Sequence, residues 1–383
     1  MSTQPVDPVS LTQRLVQCQS VTPNEGGAIT ILQQLLAEAG FSCQRIDRND
    51  VANLYARWGD TSPVFGFNGH TDTVPAGNIQ EWSVNPFGGE VKDGKLWGRG
   101  AADMKSGVAS FVAAAIDFVN TNPAQEGSIA ITVTGDEEAI AIDGSAAIID
   151  WMQKNDQHMT VCLVGEPTCP EIFGEEIKVG RRGSLSIRLT MFGVQGHSAY
   201  PSRYVNPINA MTHFGYLLNN WELDQGTENF QPSIQAITRI ETGNSAMNVV
   251  PAQCISTVNL RFNELHTTQS LTNKIKKEAE DIAKIHGCRV EVKQLSGAEC
   301  FYTTPSEFTE IVSRAVKKVL GRTPQSSTSG GTSDARFFAP LCPVVEFGLV
   351  GKTMHQVDEH VPVEEIVKLK EVYRQCLDDY FQT

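Results

Sequence analysis

The chain has 383 residues, of which 40% are hydrophobic and 20% are charged, as is typical of a globular protein with more than one domain. Its formal net charge of −13, without a long run of Lys or Arg, argues against nucleic acid and anionic membranes as partners. The nine cysteines include no CxxC pair, and "MSTQPVDPVS" lacks the basic and apolar segments of a signal peptide. We therefore expect a cytoplasmic protein with reduced thiols.

Predicted helices and strands alternate in the first half of the chain. Apolar residues recur at three- and four-residue spacing in "VSLTQRLVQCQS" and "GGAITILQQLLAEAGF", which predicts two amphipathic helices. Nearly continuous apolar runs before His70, Asp136 and Glu166 indicate strands buried on both faces, and a helix is predicted from Met104 to about Asn120. This alternation predicts an α/β domain with a mostly parallel sheet flanked by helices.

The pattern changes near residue 180, where apolar and polar residues alternate as in a one-sided antiparallel sheet. The predicted order from there to about residue 295 is strand, helix, strand, strand, helix, strand, which is the order of a ferredoxin-like α+β domain. The α/β pattern returns from about Ala298. We therefore predict a discontinuous catalytic domain, residues 1–179 and 296–383, with a second domain inserted at residues 180–295.

Polar residues follow several of these strands. His70 and Asp72 are two positions apart, so a strand would place both on one face, although a local polar cap also explains this pair taken alone. Asp103 precedes a helix of small residues, where it could be an N-cap or a carboxylate shared by two metal ions. It also replaces the third glycine of a dinucleotide-binding pattern, which argues against that fold.

Further acids and histidines follow later strands. Glu137 and Glu138, with an aspartate before them, crowd three like charges, which is unfavourable without a cation unless the loop is solvated. Glu166 follows another buried strand, and His355 and His360 follow the apolar segment "VVEFGLV". Histidine and carboxylate ligands without cysteine suit a catalytic zinc site at the carboxyl edge of an α/β sheet.

The ordered motifs HTDTVP, GRGAADMKSG, GDEEA, GEPT and MHQVDE resemble those of the M20 family of dizinc amidohydrolases and peptidases, over essentially the whole chain. The resemblance implies two Zn²⁺ per subunit, for which Co²⁺ can substitute. It implies that His70 and Glu166 bind one ion and that Glu138 and His355 bind the other. Asp103 would bridge the two ions.

The same resemblance implies three catalytic roles. Glu137 matches the family's general base, and Asp72 matches the residue that supports His70. His197, in the inserted domain, matches a histidine that reaches the partner subunit's active site and stabilises the oxyanion. The resemblance therefore implies a homodimer formed through the inserted domain, which would also act as a lid. Taken alone, His197 would be interpreted as a surface or strand-end residue.

Within the family, segments such as "NVVPAQ" and "SGGTSDARFFAP" resemble the members that hydrolyse the succinyl amide of N-succinyl-LL-2,6-diaminopimelate. This N-succinylated diamino acid is an intermediate of lysine and peptidoglycan biosynthesis. Because it carries several carboxylates, cationic recognition is expected. The matched substrate-binding positions are Lys178, Arg181, Tyr200, Asn248, Arg261, Gly331 and Thr332.

Two alternative functions remain open. An acetylornithine deacetylase, aminoacylase or dipeptidase of the same family would share every metal ligand, although the tripeptide TSD and the pair Arg181 and Arg182 favour the N-succinylated substrate. The alternative of another class is a metabolite- or metal-binding protein without catalysis. Glu137 beside Glu138 argues against it, because binding alone needs no free base.

Overall fold

A computed structural model of the chain describes residues 5–139 and 141–382. The chain divides into two compact units. The first unit comprises Met1–Val179, Thr303–Ser327 and Ser333–Thr383, and the second comprises Gly180–Tyr302 and Thr328–Thr332. The assignment of a catalytic domain and an inserted dimerisation domain stays a prediction, because compactness alone gives neither unit a role.

The helices and strands are numbered along the chain. The helices are α1 (Pro8–Gln17), α2 (Ala28–Glu38), α3 (Ser106–Thr121), α4 (Ser145–Lys154), α5 (Pro207–Asn219), α6 (Thr268–Ile285), α7 (Glu307–Leu320), α8 (Ala335–Phe338) and α9 (Val363–Phe381). The strands are β1 (Ser42–Arg45), β2 (Leu54–Trp58), β3 (Val64–His70), β4 (Glu90–Lys92), β5 (Lys95–Trp97), β6 (Ser128–Thr134), β7 (Val161–Val164), β8 (Glu176–Lys178), β9 (Gly180–Arg181), β10 (Gly183–Phe192), β11 (Gly196–His197), β12 (Ile234–Glu241), β13 (Val249–Val250), β14 (Gln253–Phe262), β15 (Arg289–Ala298), β16 (Phe301–Tyr302), β17 (Gln325–Ser327), β18 (Val344–Glu346) and β19 (His360–Pro362). Among residues 5–139 and 141–382, no helix has both the length and the apolar character that crossing a membrane requires.

A mixed sheet of eight strands lies in the first unit, in the order β1-β2-β6-β3-β7-β18-β8-β17. The adjacent strands β6, β3, β7 and β18 run parallel to one another, and β8 pairs in parallel with β17. The pairs β1–β2, β2–β6 and β18–β8 are antiparallel. The predicted α/β fold with a mostly parallel sheet is confirmed.

The central strands and α3 form the middle of this unit's core. Every residue of β3 and β6 is buried, which is the pattern of strands packed on both faces. Phe67 of β3 stacks on Phe111 of α3 with ring centroids 4.0 Å apart. In turn α3 contacts α1 and α9, so its small side chains are buried around nearly the whole helix. This helix confirms the one predicted from Met104 to about Asn120.

The second unit contains a four-stranded antiparallel sheet in the order β12-β14-β10-β15. Alternate residues of β10 and β14 are buried, and their apolar side chains form one core with those of α5 and α6. The chain order β10, α5, β12, β14, α6, β15 confirms the predicted ferredoxin-like arrangement. The short strands β11 and β13 pair with each other and place His197 opposite Val249.

Candidate metal centre

Four residues of the candidate site lie at or just after the carboxyl ends of three adjacent parallel strands. His70 is the last residue of β3, Glu166 follows β7 by two residues, and Glu137 and Glu138 follow β6. Because β6, β3 and β7 are neighbours and parallel, their carboxyl ends meet at one edge of the sheet. Sheet order therefore brings together side chains that are up to about a hundred residues apart in the sequence.

The first ligand group consists of His70, Asp103 and Glu166, whose candidate ligand atoms all lie within 4.8 Å of one another. Nε2 of His70 is 3.2 Å from Oδ1 of Asp103 and 3.7 Å from Oε1 of Glu166. All three residues are buried. The other ring nitrogen of His70, Nδ1, lies 3.0 Å from the backbone oxygen of Asp72, which orients Nε2 toward the carboxylates.

The second ligand group consists of Asp103, Glu138 and His355. Nε2 of His355 is 2.9 Å from Oε1 of Glu138 and 3.3 Å from Oδ2 of Asp103. Asp103 thus presents one carboxylate oxygen to each group. The side chain of His355 is 47% exposed, so the second group is the more open of the two.

The chemistry of these donors fits a pair of divalent cations. Burial lowers the pKa of His70, but the hydrogen bond with Asp103 and the charge of Glu166 raise it well above its ordinary value. Hydrogen bonds with Asp103 and Glu138 raise the pKa of His355 to about 10. The carboxylates thus attract protons to both imidazoles, and a metal ion with a preference for nitrogen and oxygen ligands would take the place of those protons.

Glu137 lies beside the first ligand group. Its Oε2 is 4.0 Å from Nε2 of His70, and its side chain is 13% exposed. Burial and the charge of Glu166 raise the pKa of Glu137 well above its ordinary value. A carboxyl group with a raised pKa next to candidate ligands is suited to accepting and donating protons.

Asp72 supports the site through both its backbone and its side chain. Its carboxylate accepts hydrogen bonds from the backbone N–H groups of Glu137, at 3.2 Å, and Glu138, at 3.1 Å. The carboxylate Oδ1 is 3.6 Å from Nδ1 of His70, whereas the backbone oxygen is the atom within hydrogen-bond distance. The side chain of Asp72 therefore holds the loop that carries Glu137 and Glu138, and its backbone oxygen holds the imidazole of His70.

Two buried residues without a predicted role, Arg99 and Glu359, contact the backbone of the candidate ligands. Nη1 of Arg99 is 2.6 Å from Oε2 of Glu359. The carboxylate of Glu359 accepts from the N–H groups of Ala102 and Asp103, and Arg99 donates to the carbonyl oxygen of His355. Both residues lie within the motifs GRGAADMKSG and MHQVDE, but the motifs alone do not indicate that these two residues pair.

Asp334, within the segment SGGTSDARF, is a third buried residue to which the sequence assigned no role. Ser145 donates a hydrogen bond of 2.7 Å to its carboxylate, and Asn68 of β3 donates to the Ser145 hydroxyl at 3.2 Å. Burial raises the pKa of Asp334 although the nearby Arg336 lowers it. These hydrogen bonds attach the segment to the strand that ends in His70.

The predicted substrate-binding residues are distributed over both units. Lys178 is the last residue of β8 in the first unit, where its Nζ donates to Oγ of Ser327 at 3.2 Å and pairs with Glu176. The others lie in the second unit, and they are Arg181, Tyr200, Asn248, Arg261, Gly331 and Thr332.

Within the second unit, these residues form two clusters. Nδ2 of Asn248 lies 3.5 Å from Nε2 of His197, and the ring centroids of His197 and Tyr200 are 5.5 Å apart. In the other cluster, Arg181 lies beside the segment that contains Gly331 and Thr332, since a Cβ atom on Gly330 would be 2.4 Å from Nη1 of Arg181.

Arg261 occupies β14, opposite Ser184 of β10. Burial and the positive charge of Arg182 lower the pKa of Arg261. A partly buried guanidinium next to another positive charge is stabilised when an anion binds to it.

The chain belongs to the M20/M25/M40 peptidase family, whose sequence pattern matches residues 66–379. It is similar in fold to an M20 family metallo-carboxypeptidase of Sulfolobus solfataricus, with a TM-score of 0.80, 16% identity, and coverage of 98% of this chain and 100% of that one. It is also similar to the aminopeptidase PepT of Bacillus cereus, with a TM-score of 0.78, 22% identity, and 97% of each chain covered.

Relatives of much higher identity share one description, succinyl-diaminopimelate desuccinylase. The protein of that name from Cereibacter sphaeroides is 55% identical over 379 residues, which cover 98% of this chain and 100% of the relative. Succinyl-diaminopimelate desuccinylase 1 of Ruegeria sp. is 54% identical over 98% of this chain and 99% of its own length. The similarity thus extends over both units.

Proposed function

We propose that the protein is a metal-dependent amidohydrolase that cleaves N-succinyl-LL-2,6-diaminopimelate to succinate and LL-2,6-diaminopimelate. The observation that carries this proposal is the 55% identity, along the full length, to a succinyl-diaminopimelate desuccinylase. The reaction belongs to lysine and peptidoglycan biosynthesis, and we assign the enzyme to the cytoplasm.

The metal ions are two Zn²⁺ per subunit, with Co²⁺ as a substitute. His70 and Glu166 would hold one ion, Glu138 and His355 would hold the other, and Asp103 would contribute to both. The separate contacts of the two Asp103 oxygens with His70 and His355 support this division. When bound, such ions act as Lewis acids that polarise the scissile carbonyl group and make a water molecule more acidic.

Glu137 is the general base. It takes a proton from the attacking water and delivers that proton to the leaving amine. Its position 4.0 Å from His70 and its raised pKa support this role. Asp72 assists because its carboxylate fixes the backbone N–H groups of Glu137 and Glu138.

The cationic side chains Lys178, Arg181 and Arg261 bind carboxylates of the substrate. Arginine can bind a carboxylate with two parallel hydrogen bonds, which suits a substrate with several such groups. The remaining pocket residues are Tyr200, Asn248, Gly331 and Thr332.

His197 acts on the partner subunit's substrate in a homodimer formed through the second unit. It stabilises the oxyanion that develops when water attacks the amide. Its exposure and its proximity to Asn248 support this role, since an imidazole held at the surface is accessible to another subunit.

A comparison of substrates tests the proposed function. The protein is treated with a chelator, reloaded with Zn²⁺, and assayed with succinyl-diaminopimelate, acetylornithine and dipeptides. We expect activity to disappear on chelation, to return with zinc, and to give the highest kcat/KM with succinyl-diaminopimelate. A higher kcat/KM for acetylornithine or a dipeptide would assign the protein to another activity of the family.

A further inference from the structure

Arg99 and Glu359 form a buried ion pair next to the metal centre. Their side chains are 3% and 0% exposed, and Nη1 of Arg99 is 2.6 Å from Oε2 of Glu359. Neither belongs to the two ligand groups found among the described residues. Because burying two charges costs free energy, an ion pair of this kind contributes little to stability by itself. Its other contacts indicate its role.

The carboxylate of Glu359 holds the backbone that carries Asp103. Its Oε1 accepts hydrogen bonds from the N–H groups of Ala102, at 2.8 Å, and Asp103, at 3.2 Å. These N–H groups belong to the turn Ala101–Lys105, which precedes α3, and N–H groups at the start of a helix have no partner within the helix. Glu359 therefore fixes the point from which the shared carboxylate projects.

The guanidinium of Arg99 contacts the loop that carries His355. Its Nη2 donates to the carbonyl oxygen of His355 at 3.4 Å. His355 and Asp358 have φ values of 62° and 60°, in the left-handed region that non-glycine residues rarely adopt. Such a backbone persists where neighbouring contacts hold it. The hydrogen bond from Arg99 is one such contact, and the hydrogen bond of 2.8 Å from the Ser83 N–H to the Asp358 carboxylate is another.

We propose that the Arg99–Glu359 pair is a positioning device for the second ligand group. By fixing Asp103 relative to His355, it sets the affinity for the ion held by that group. His70 and Glu166 are placed by the ends of two central strands and depend on the pair only through Asp103. The inference rests on the proposed two-metal site and adds two residues that determine its occupancy.

Cobalt titration of the metal-free full chain tests this inference, with calorimetry for affinity and visible absorption for the coordination of each ion. The variants are Glu359→Gln, which keeps the size of the side chain but removes its charge, and Arg99→Lys, which keeps the charge but shortens the reach. The matched control is Asp117→Asn, which removes an ion pair with Lys370 at 2.6 Å outside the ligand groups.

We expect the wild-type protein and the control to bind two equivalents of cobalt. In both test variants, one equivalent should bind within about threefold of wild type and the other about 10–100-fold more weakly, as is typical when support for a metal ligand is lost. Excess metal should then restore kcat. Thermal unfolding of each metal-free protein shows whether a variant is folded.

Three outcomes contradict the inference. If both variants bind two equivalents as wild type does, the pair does not position the second ligand group. If both equivalents weaken to the same extent together with thermal stability, the pair supports only the fold. If the wild-type protein itself binds fewer than two equivalents, the proposed two-metal site is wrong, and the inference fails with it.

Discussion

Single side chains beside the candidate ligands determine where the ligands lie. The clearest case is Asp72, whose backbone oxygen contacts the imidazole of His70 while its carboxylate accepts from the N–H groups of Glu137 and Glu138. One residue thus couples the end of β3 to the acidic loop after β6. The H-x-D spacing predicted the proximity of Asp72 to His70, but it could not indicate which atoms make the contact.

At this scale we predict that Glu137→Gln separates metal binding from turnover. The amide cannot act as a base at neutral pH, so kcat should fall by about 10²–10⁴-fold, while the metal content should stay unchanged because Glu137 is outside both ligand groups. Metal analysis of the purified protein and steady-state assays measure the two effects. Glu126→Gln, at an exposed position, is the control. Activity near wild type would show that another group is the base.

At the scale of elements, close packing of α3 against the strand ends positions Glu166. Gly107, in the first turn of α3, lies against the backbone of Gly165, which directly precedes Glu166. A Cβ atom on Gly107 would be 2.4 Å from the carbonyl oxygen of Gly165. The helical pattern predicted α3, but pattern alone could not predict that this position has no room for a side chain.

We therefore predict that Gly107→Ala lowers Tm and weakens metal binding. Alanine in a helix interior ordinarily stabilises by about 1 kcal/mol relative to glycine, so a loss would show that the close contact outweighs helix propensity. Gly215→Ala in α5 is the matched control, since its Cβ would meet only the flexible end of Ile237. Calorimetric unfolding and zinc titration measure both effects. Equal Tm shifts in the two variants would contradict the steric argument.

In the second unit, one partly buried carboxylate connects the segment after α5 with the end of β14. Asp224 accepts hydrogen bonds from the Gly226 N–H at 2.8 Å and from Nδ2 of Asn263 at 2.6 Å. Burial raises the pKa of Asp224, but hydrogen bonds from Ser233 and Gly226 outweigh burial and lower the pKa to about 2. This contact network links loops that are separated in the sequence.

The lowered pKa of Asp224 predicts loss of stability in acid. Because the folded-state pKa is below the ordinary value of 3.8, the stabilisation is present above pH 3.8 and is lost as the pH falls through about 2. Asp224→Asn should lower the stability of the second unit at pH 5. Between pH 5 and pH 3, the stability of this variant should fall less than that of the wild type. Amide hydrogen exchange of β12 and β14 measures this. Asp281→Asn, an exposed change in α6, is the control, and the same pH response in both variants would contradict the prediction.

At the scale of the whole molecule, the two ligand groups lie in the first unit and His197 lies in the second. The proposed homodimer makes the two subunits interdependent, because each site would need a histidine from the other chain. Neither compact unit would then be sufficient for catalysis.

Mixing inactive variants tests this dependence. We predict that His197→Ala and Glu137→Ala are each nearly inactive, and that subunit exchange between them restores activity. In a mixed dimer, the subunit that keeps Glu137 receives the intact His197 from its partner. Random exchange makes about half of the dimers mixed, each with one working site, so about a quarter of wild-type activity should return. No recovery, with exchange verified by mass spectrometry of the intact dimers, would mean that His197 acts within its own chain or has no catalytic role.

The sequence by itself determined the type and order of the elements and the residues available for chemistry. Continuous apolar runs predicted the buried strands, alternation predicted the second unit's sheet, and the acids and histidines at strand ends predicted the candidate ligands. These features are local, because the periodicity of a segment depends on which of its faces are buried. The motif order also carried the family resemblance.

Only the tertiary structure decided which of these residues meet. Strand order places β6, β3 and β7 side by side. The folded chain also brings Glu359 into contact with Arg99, although the two residues are 260 positions apart in the sequence. Tertiary packing also decides that the Asp72 carboxylate accepts from the backbone of Glu137 and Glu138. It likewise leaves no room for a side chain at Gly107. The physical reason is that such contacts depend on the packing of whole elements, whereas composition, spacing and periodicity describe one segment at a time.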